Sequence, residues 1–350
     1  MNECRGRRTL RVRILSCWVF FLFTLCLWAP SSARAQAVRS QSIVLQPGWN
    51  AIYLEVDPQE SDPAKLLADS PVDIVAAYTS PRRGAQFALD PQADMRKAYG
   101  WAVWYAPERP DAFLSTLYGV YGAQPYLVHA RTNATLVLTG PPAPDHVDWT
   151  PDAYNFVGFS VQDPGGPTLE QFFRGSSAHR DSKIYRMVNG AWRQVLDPSA
   201  APMRSGEAFW IYCRGRSDFR GPLQSGVASP FGVQLSSQSG DEIVFRNRTS
   251  HPVSFRIEHI ADAERPIPIS APVQVINEAA GGLQTLTMHF PAGNWQQDFP
   301  PLEAGQSIRF PLTLRARDMD PGERSGLLRV VSDVGTVQYI PVAATREDHP

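Results

Sequence analysis

The chain has 350 residues, of which 33 are Lys or Arg and 34 are Asp or Glu, for a formal net charge of −1. This balance excludes the strongly basic surface that nucleic-acid binding requires. The length is sufficient for two or three separate hydrophobic cores.

Residues 1–37 have the features of a secretory signal peptide. Arginines precede an apolar segment from Ile14 to Trp28, and two Ala-x-Ala sites follow, ending at Ala35 and Ala37. The apolar segment is shorter than the ~20 residues that span a bilayer, which favours cleavage over retention as an anchor. We therefore expect a bacterial protein that is secreted, periplasmic or on the cell surface, exported by the general secretory route and free of the membrane after cleavage.

Loss of this segment changes both the charge and the cysteine content. It holds six arginines and one glutamate, so its removal leaves 27 basic and 33 acidic residues. It also holds three of the four cysteines, so no intramolecular disulfide can form in the exported chain. Burial of apolar surface must then supply the stability. The remaining cysteine, Cys213, follows Trp210, Ile211 and Tyr212, which indicate a strand, so we expect a small buried side chain and not a nucleophile.

An internal repeat relates residues 41–141 to residues 152–223. The matching positions are Gly48-Trp49-Asn50 and Ala153-Tyr154-Asn155, Asp57-Pro58 and Asp163-Pro164, and Leu66-Leu67 and Phe172-Phe173. The last two pairs follow the Asp-Pro pairs at the same offset. The repeat predicts two related small β-rich modules, each with a short helix, with Trp49 and Tyr154 in their cores.

Local signals place the helices and the connections of these modules. Thr168 and Gln171 have capping-box spacing, which predicts a helix start in the second module. Pro63 suits the first helical turn in the first module. Residues 142–151 are predicted to be a Pro-rich linker, and residues 80–99 to be an exposed loop.

Residues 227–345 differ from the repeat because short alternating segments dominate. Apolar and polar residues alternate through residues 307–316, and this period of two indicates a half-buried strand. Seven strands are predicted, at residues 242–247, 253–258, 273–277, 283–290, 307–316, 326–332 and 336–343. Their number and length favour an antiparallel β-sandwich, and the whole protein is predicted to be mainly β.

Two segments resemble known families. The segment from Asp320 to Val330, with Tyr339 to Val342, resembles the closing strands of immunoglobulin-like or fibronectin type III-like domains in bacterial surface proteins. The Gly48-Trp49-Asn50 and Gly206-Glu207-Ala208-Phe209-Trp210 segments resemble modules of large secreted bacterial proteins of unassigned role. The resemblance implies an immunoglobulin-like C-terminal sandwich and brings no catalytic residues.

Candidate chemistry is sparse along the chain. The seven histidines include no pair at metal-binding spacing, so we expect neither a metal nor another cofactor. Gly165-Gly166 is followed by Pro167, which predicts a turn and not a phosphate loop. Asp57 and Asp163 each precede proline, which favours turn formation over a catalytic carboxylate pair. We therefore expect no catalytic residues and no enzymatic activity.

Four aromatic residues form the strongest candidate for a ligand-binding surface. They are Tyr99, Trp101, Trp104 and Tyr105, and Trp and Tyr rings stack on sugars. Trp101 and Trp104 would point to opposite faces of one strand. Either one of them is exposed and available to a glycan, or both faces of the strand are covered by protein, which is the expectation we favour.

Three hypotheses about function follow from these features. The favoured one is an exported, non-enzymatic structural or adhesion protein whose partner is another secreted or surface protein. The first alternative is a carbohydrate-binding protein that uses the aromatic cluster. The second is an extracellular hydrolase, which would need two carboxylates about 5–10 Å apart in a cleft.

Overall fold

The computed structural model describes residues 37–79, 100–144, 146–277 and 282–347. The predicted signal peptide lies outside these ranges except for Ala37, as do Tyr99 and the predicted loop at 80–99. Strands dominate the described ranges, whose α-helices are the short α1 (Pro63–Leu66) and α2 (Leu169–Phe173). The protein is therefore mainly β, as the sequence predicts. No described helix is both long and apolar enough to cross a membrane.

The first part of the chain forms two antiparallel sheets around an aliphatic core. One sheet pairs β1 (Arg39–Leu45) with β6 (Ala134–Gly140). The other has the order β2 (Gly48–Tyr53), β5 (Pro125–Ala130), β3 (Val72–Tyr78) and β4 (Trp101–Tyr105). Leu45, Leu54 and Leu138 lie fully buried between the two sheets. Helix α1 begins where the Asp62 carboxylate accepts a hydrogen bond from the Ala64 N–H at 3.0 Å.

A second four-stranded antiparallel sheet follows. Its order is β7 (Ala153–Gly158), β10 (Ala208–Cys213), β8 (Ile184–Val188) and β9 (Ala191–Gln194). The predicted capping box starts α2: the Gln171 N–H donates to Thr168 Oγ1 at 3.2 Å, and the Thr168 N–H donates to Gln171 Oε1 at 2.9 Å. This cap aims Phe172 and Phe173 into an aromatic core against one face of the sheet.

The two four-stranded sheets share a third cluster of buried side chains. Their facing surfaces contribute Trp49, Tyr53, Tyr105, Phe156, Trp192 and Trp210. Within it the Phe156 and Trp210 rings stack at 5.0 Å, and the Tyr78 ring meets Trp210 edge-on at 5.0 Å. The two sheets therefore bury a common interior in addition to their separate cores. As predicted, Trp49 is buried there, whereas Tyr154 is only half-buried at its margin.

The segment at residues 142–151 packs against both neighbouring sheets, although the sequence predicts a Pro-rich linker there. Pro142 forms an isolated bridge with Val56 of the first part of the chain. Trp149 is buried in the aromatic core of the second sheet, where its Nε1–H donates to the Phe219 carbonyl at 2.6 Å. The segment thus connects the two sheets, and burial of the Trp149 indole fixes its position.

Ten strands form the C-terminal immunoglobulin-like β-sandwich. The first sheet has the order β11 (Leu223–Val227), β13 (Asp241–Asn247), β18 (Ser307–Leu314), β15 (Ile269–Asn277) and β16 (Gly282–His289). The second has the order β12 (Val233–Ser236), β20 (Val337–Arg346), β19 (Gly322–Ser332), β14 (Val253–Ala261) and β17 (Trp295–Leu302). Alternate side chains such as Phe245, Phe255 and Phe310 fill the space between the sheets. The seven predicted strands are present, and β11, β12 and β17 are additional.

Candidate interaction surface

Three residues of the predicted aromatic cluster, Trp101, Trp104 and Tyr105, lie in the described ranges, and none of the three is exposed. Trp101 and Trp104 do point to opposite faces of β4, and both faces are covered. Trp104 is 7% exposed in the aliphatic core, and Tyr105 is 8% exposed in the cluster shared by the two sheets. The half-buried Trp101 ring lies 5.1 Å from Tyr78 and 6.4 Å from Trp210. The exposed ligand-binding surface predicted from these residues is therefore not formed by Trp104 or Tyr105, because the second sheet and the aliphatic core occupy their faces.

Exposed aromatic rings occur instead in the segment that follows β4. We call Phe113, Tyr118 and Tyr121 the aromatic loop; all three are exposed. Leu117 and Val120 of the same segment are buried and anchor it. The Tyr118 hydroxyl donates to the Ser115 carbonyl at 3.2 Å, which helps to fix that ring. The loop thus presents aromatic surface from a backbone held by apolar anchors.

Among the strands whose burial the structure describes throughout, β16 is the most exposed; it forms a hairpin with β15, which we call the β15–β16 ribbon. Its strands pair over eight residues, from Ser270 with His289 to Asn277 with Gly282. By contrast, β15 pairs with β18 only through Ile269 and Ser270. Most of the ribbon therefore extends past the strand on which it is mounted, and seven of the eight β16 residues are exposed.

Apolar side chains lie on this exposed ribbon. Leu283 and Leu286 of β16 are 73% and 48% exposed, and Val273, the β15 residue opposite Leu286, is 38% exposed. Neither strand of the ribbon contains Asp, Glu, Lys or Arg. An uncharged strand at the end of a sheet presents backbone donors and acceptors along its outer side. The ribbon is thus an open edge with apolar side chains beside it.

Three other terminal strands, β17, β4 and β12, carry features that discourage pairing. Strand β17 ends its sheet but contains Asp298, Pro300 and Pro301, and proline cannot donate to a ladder. The outer side of β4 is covered, since the Val103 and Tyr105 N–H groups donate at 3.0 Å to the hydroxyls of Thr116 and Ser115. Strand β12 has only four residues. Among these edges β16 is the long one without a protecting feature.

Two histidines make close contacts that resemble parts of a catalytic site. His179 Nδ1 lies 2.6 Å from the Ser176 hydroxyl, yet both residues are buried. Burial lowers the pKa of His179 to about 4. His129 Nδ1 lies 2.6 Å from Asp73 Oδ1, but this pair belongs to the first sheet. Ser176 lies in the turn after α2, whereas the His129–Asp73 pair lies on β5 and β3, so neither contact forms a nucleophile with an acid-supported base.

Other groups that could carry chemistry have structural contacts. Glu55 is buried and accepts hydrogen bonds from Arg39 Nη2 at 2.7 Å and from the Ser205 hydroxyl at 2.7 Å. Cys213 is a buried free thiol, as predicted, and burial followed by the nearby Asp152 charge raises its pKa to about 11. It is therefore protonated at neutral pH. In the described ranges no three His, Cys, Asp or Glu side chains are grouped to hold a metal ion.

Comparison with known proteins finds distant structural similarity alone. No family model and no curated protein match the chain. The Salmonella enterica SafA pilin in complex with the SafB chaperone is 12% identical over 36% of this chain and 53% of that chain, with a TM-score of 0.22. The PapD-like domain 7 of human CEP192 is 9% identical over 37% of this chain and 87% of that chain, also at 0.22. A DUF4785 family protein from Legionella pneumophila is 8% identical over 89% and 93%, at 0.19.

This chain spans about half the length of the pilin–chaperone chain that it matches. At these identities and TM-scores the similarity concerns the β fold, and the function has to be argued from the molecule itself.

Proposed function

We propose that this protein is an exported, non-enzymatic interaction protein whose β15–β16 ribbon receives an additional β-strand from a partner polypeptide. The observation that carries the proposal is the outer edge of β16: eight residues long, uncharged, and flanked by exposed leucines. In such β-augmentation, main-chain hydrogen bonds supply affinity, and alternate side chains supply specificity. A partner strand would extend the sheet and cover Leu283 or Leu286.

The proposal that the protein is not an enzyme rests on what its polar groups already bind. A hydrolase would need two free carboxylates in one cleft. Two grooves contain acids: Glu170, Asp181 and Asp197 line one, and Asp163 and Glu207 line the other. Asp197 accepts from Ser199 N–H and Oγ–H, and Glu207 forms a two-bond pair with Arg186 at 2.9 and 2.6 Å. Asp197 and Glu207 thus have structural partners, which supports a non-enzymatic role.

The export part of the proposal rests on the N-terminal sequence. Expression of the full gene in a bacterial host should release a chain that begins at Gln36 or Val38, after cleavage at one of the two Ala-x-Ala sites. Mass spectrometry of the exported fraction measures this end. Retention of Met1 in a membrane fraction would contradict export by this route.

Strand addition can be tested with a generic probe. A fluorescent peptide of alternating Thr and Val, with terminal lysines for solubility, should bind the exported protein and raise its anisotropy. Hydrogen exchange of the β16 amides should slow in the complex. Leu286→Lys should weaken binding about tenfold or more, because a charge beside the edge discourages pairing. Val137→Lys is the matched control: Val137 is also exposed on a strand, but on β6. Binding that both variants leave intact would contradict the assignment to β16.

Carbohydrate binding is a second candidate function, favoured by the aromatic loop. The exposed rings of Tyr118 and Tyr121 are of the kind that stack on sugars. Glycan-array binding that is lost in both Tyr118→Ala and Tyr121→Ala, and kept in Phe231→Ala, would support it; Phe231 is an exposed aromatic elsewhere. An array without any bound glycan would contradict it.

A further inference from the structure

The β15–β16 ribbon also indicates which strand its edge receives. An antiparallel ladder has local two-fold axes, so the edge of a strand is complementary to the same edge of a second copy turned about such an axis. Donors of one copy then meet acceptors of the other without any further requirement on sequence.

Charge offers no obstacle to this pairing. Like charges placed opposite each other destabilise a strand pair, and residues Ile269–Asn277 and Gly282–His289 include no Asp, Glu, Lys or Arg. Two copies brought edge to edge would place Thr, Gln, Leu and Met side chains together. By contrast, self-pairing of β17 would bring Asp298 and two prolines into the new ladder.

The short pairing of β15 with β18 leaves most of the ribbon free to pair with a second copy. Only Ile269 and Ser270 of β15 pair with β18, so Val273 and its partner Leu286 lie beyond the paired part of β15. The exposed β16 side chains on both faces are consistent with open space beside them. The outer side of β16 is therefore the side on which a second copy would pair.

The apolar side chains on one face fit the same symmetry. Val273 lies opposite Leu286 in the ladder, and their side chains lie on one face of the ribbon, both exposed. A two-fold axis through Leu286 places the two Leu286 side chains opposite each other. The pair then has four apolar side chains in one row, Val–Leu–Leu–Val, where each single ribbon leaves two in water.

We infer that the strand received by β16 comes from a second copy of this chain, in an antiparallel β16–β16 pair about a two-fold axis. The inference rests on the proposed strand addition and names its partner. Sedimentation equilibrium of the exported protein should show a concentration-dependent dimer. Leu286→Lys should raise the dimer Kd about tenfold or more, whereas Val137→Lys should leave it unchanged.

Single-cysteine variants locate the axis. Cys213 is buried, so an engineered thiol on β16 would be the reactive one. Under mild oxidation, disulfide dimers of Gln284→Cys, Thr285→Cys, Leu286→Cys and Thr287→Cys should peak at the residue on the axis. A yield that is the same at every position would contradict an ordered two-fold pair.

Proline variants separate edge pairing from damage to the hairpin. Adjacent N–H groups of a strand point to opposite sides, so in Thr285→Pro and Leu286→Pro one proline removes an outward donor and the other an inward one. The outward variant should lose the dimer while keeping the circular dichroism and melting temperature of the native protein.

Failure of strand addition and failure of self-pairing give different experimental results. If the Thr–Val peptide binds at β16 but the protein stays monomeric at its highest soluble concentration, strand addition holds and the second copy is wrong. If neither binding nor a dimer is found, both are wrong. A dimer that Leu286→Lys and both proline variants leave intact uses another surface and also overturns the inference.

Discussion

The two four-stranded sheets have the same strand order, yet their interiors have little in common. In each sheet the first strand pairs with the fourth, the fourth with the second, and the second with the third. The first sheet covers its outer face with leucines and the two-stranded sheet, whereas the second covers it with phenylalanines and α2. The same connectivity therefore tolerates two different fillings, which is expected when volume and pattern, more than identity, decide how a core packs.

A shared hydrogen-bond pattern starts both sheets. Asn50 Oδ1 accepts from the Gln46 N–H at 2.9 Å, while its Nδ2–H donates to Gln46 and Gly48 carbonyls at 2.8 and 3.0 Å. Asn155 makes the equivalent three bonds, to Thr150 at 2.7 and 3.1 Å and to Ala153 at 3.0 Å. The two asparagines occupy matching positions of the predicted repeat, which itself stays a prediction.

The largest effect is expected where the two sheets meet. Trp210 is fully buried in the shared cluster, so Trp210→Ala should lower the free energy of unfolding by about 3–5 kcal/mol. Denaturant unfolding measured by circular dichroism would show it. A loss below about 1 kcal/mol would mean that the sheets do not depend on their common interior.

Low pH should lower the free energy of unfolding through the buried histidine His179. The pKa of His179 in the fold is about 4, against an ordinary value of 6.5, because burial disfavours the charged imidazole. The unfolded chain then binds a proton that the folded one excludes, so stability is full above pH 6.5 and falls as the pH drops towards 4. The loss approaches about 3 kcal/mol.

A variant isolates this contribution. His259 in the sandwich is also buried with a lowered pKa, so the native protein contains at least two such groups. Unfolding of His179→Phe between pH 7 and 4 should show a shallower loss than the native protein. Identical slopes for the two proteins would rule out His179 as a source of the acid sensitivity.

The asparagines give a smaller and more direct comparison of the two sheets. Asn155 is buried and Asn50 is half-buried. Asn155→Ala should therefore cost about 2–3 kcal/mol of unfolding free energy and Asn50→Ala about 1 kcal/mol, because a buried backbone group left without its partner loses more than one that water can reach. Equal costs would show that burial does not separate the two copies.

The helix caps provide the smallest test. Thr168→Ala removes a reciprocal capping box and Asp62→Ala removes a single cap bond. The expected losses are about 1 kcal/mol for Thr168 and about half of that for Asp62, measured by denaturant unfolding. A larger loss for Asp62→Ala would contradict this order.

The sequence predicted local features well, but it did not predict contacts between segments that are distant along the chain. The capping box at Thr168 and the seven sandwich strands depend on neighbouring residues, and the structure confirms them. Strand β17 was not predicted because Pro300 and Pro301 argue against a strand, although an edge tolerates them. The pairing of β1 with β6 joins residues almost a hundred positions apart, and no local pattern specifies it.

The candidate site shows the same limit. The parity of Trp101 and Trp104 predicted their opposite directions, but only the position of the second sheet decides that Trp101 is covered. Strand β16 was predicted at residues 283–290, yet its sequence gives no sign that both of its faces meet solvent. Exposure of an edge depends on where the sheet ends, which is a property of the assembled fold.

The buried Glu55 carboxylate has a mechanical consequence. It binds Arg39 of β1 and Ser205 of the loop before β10, while the Arg39 guanidinium lies 4.0 Å from the centre of the Tyr339 ring in the sandwich. Residues from all three parts of the chain thus meet at one largely buried ion pair, so a load applied to any one part is shared with the other two.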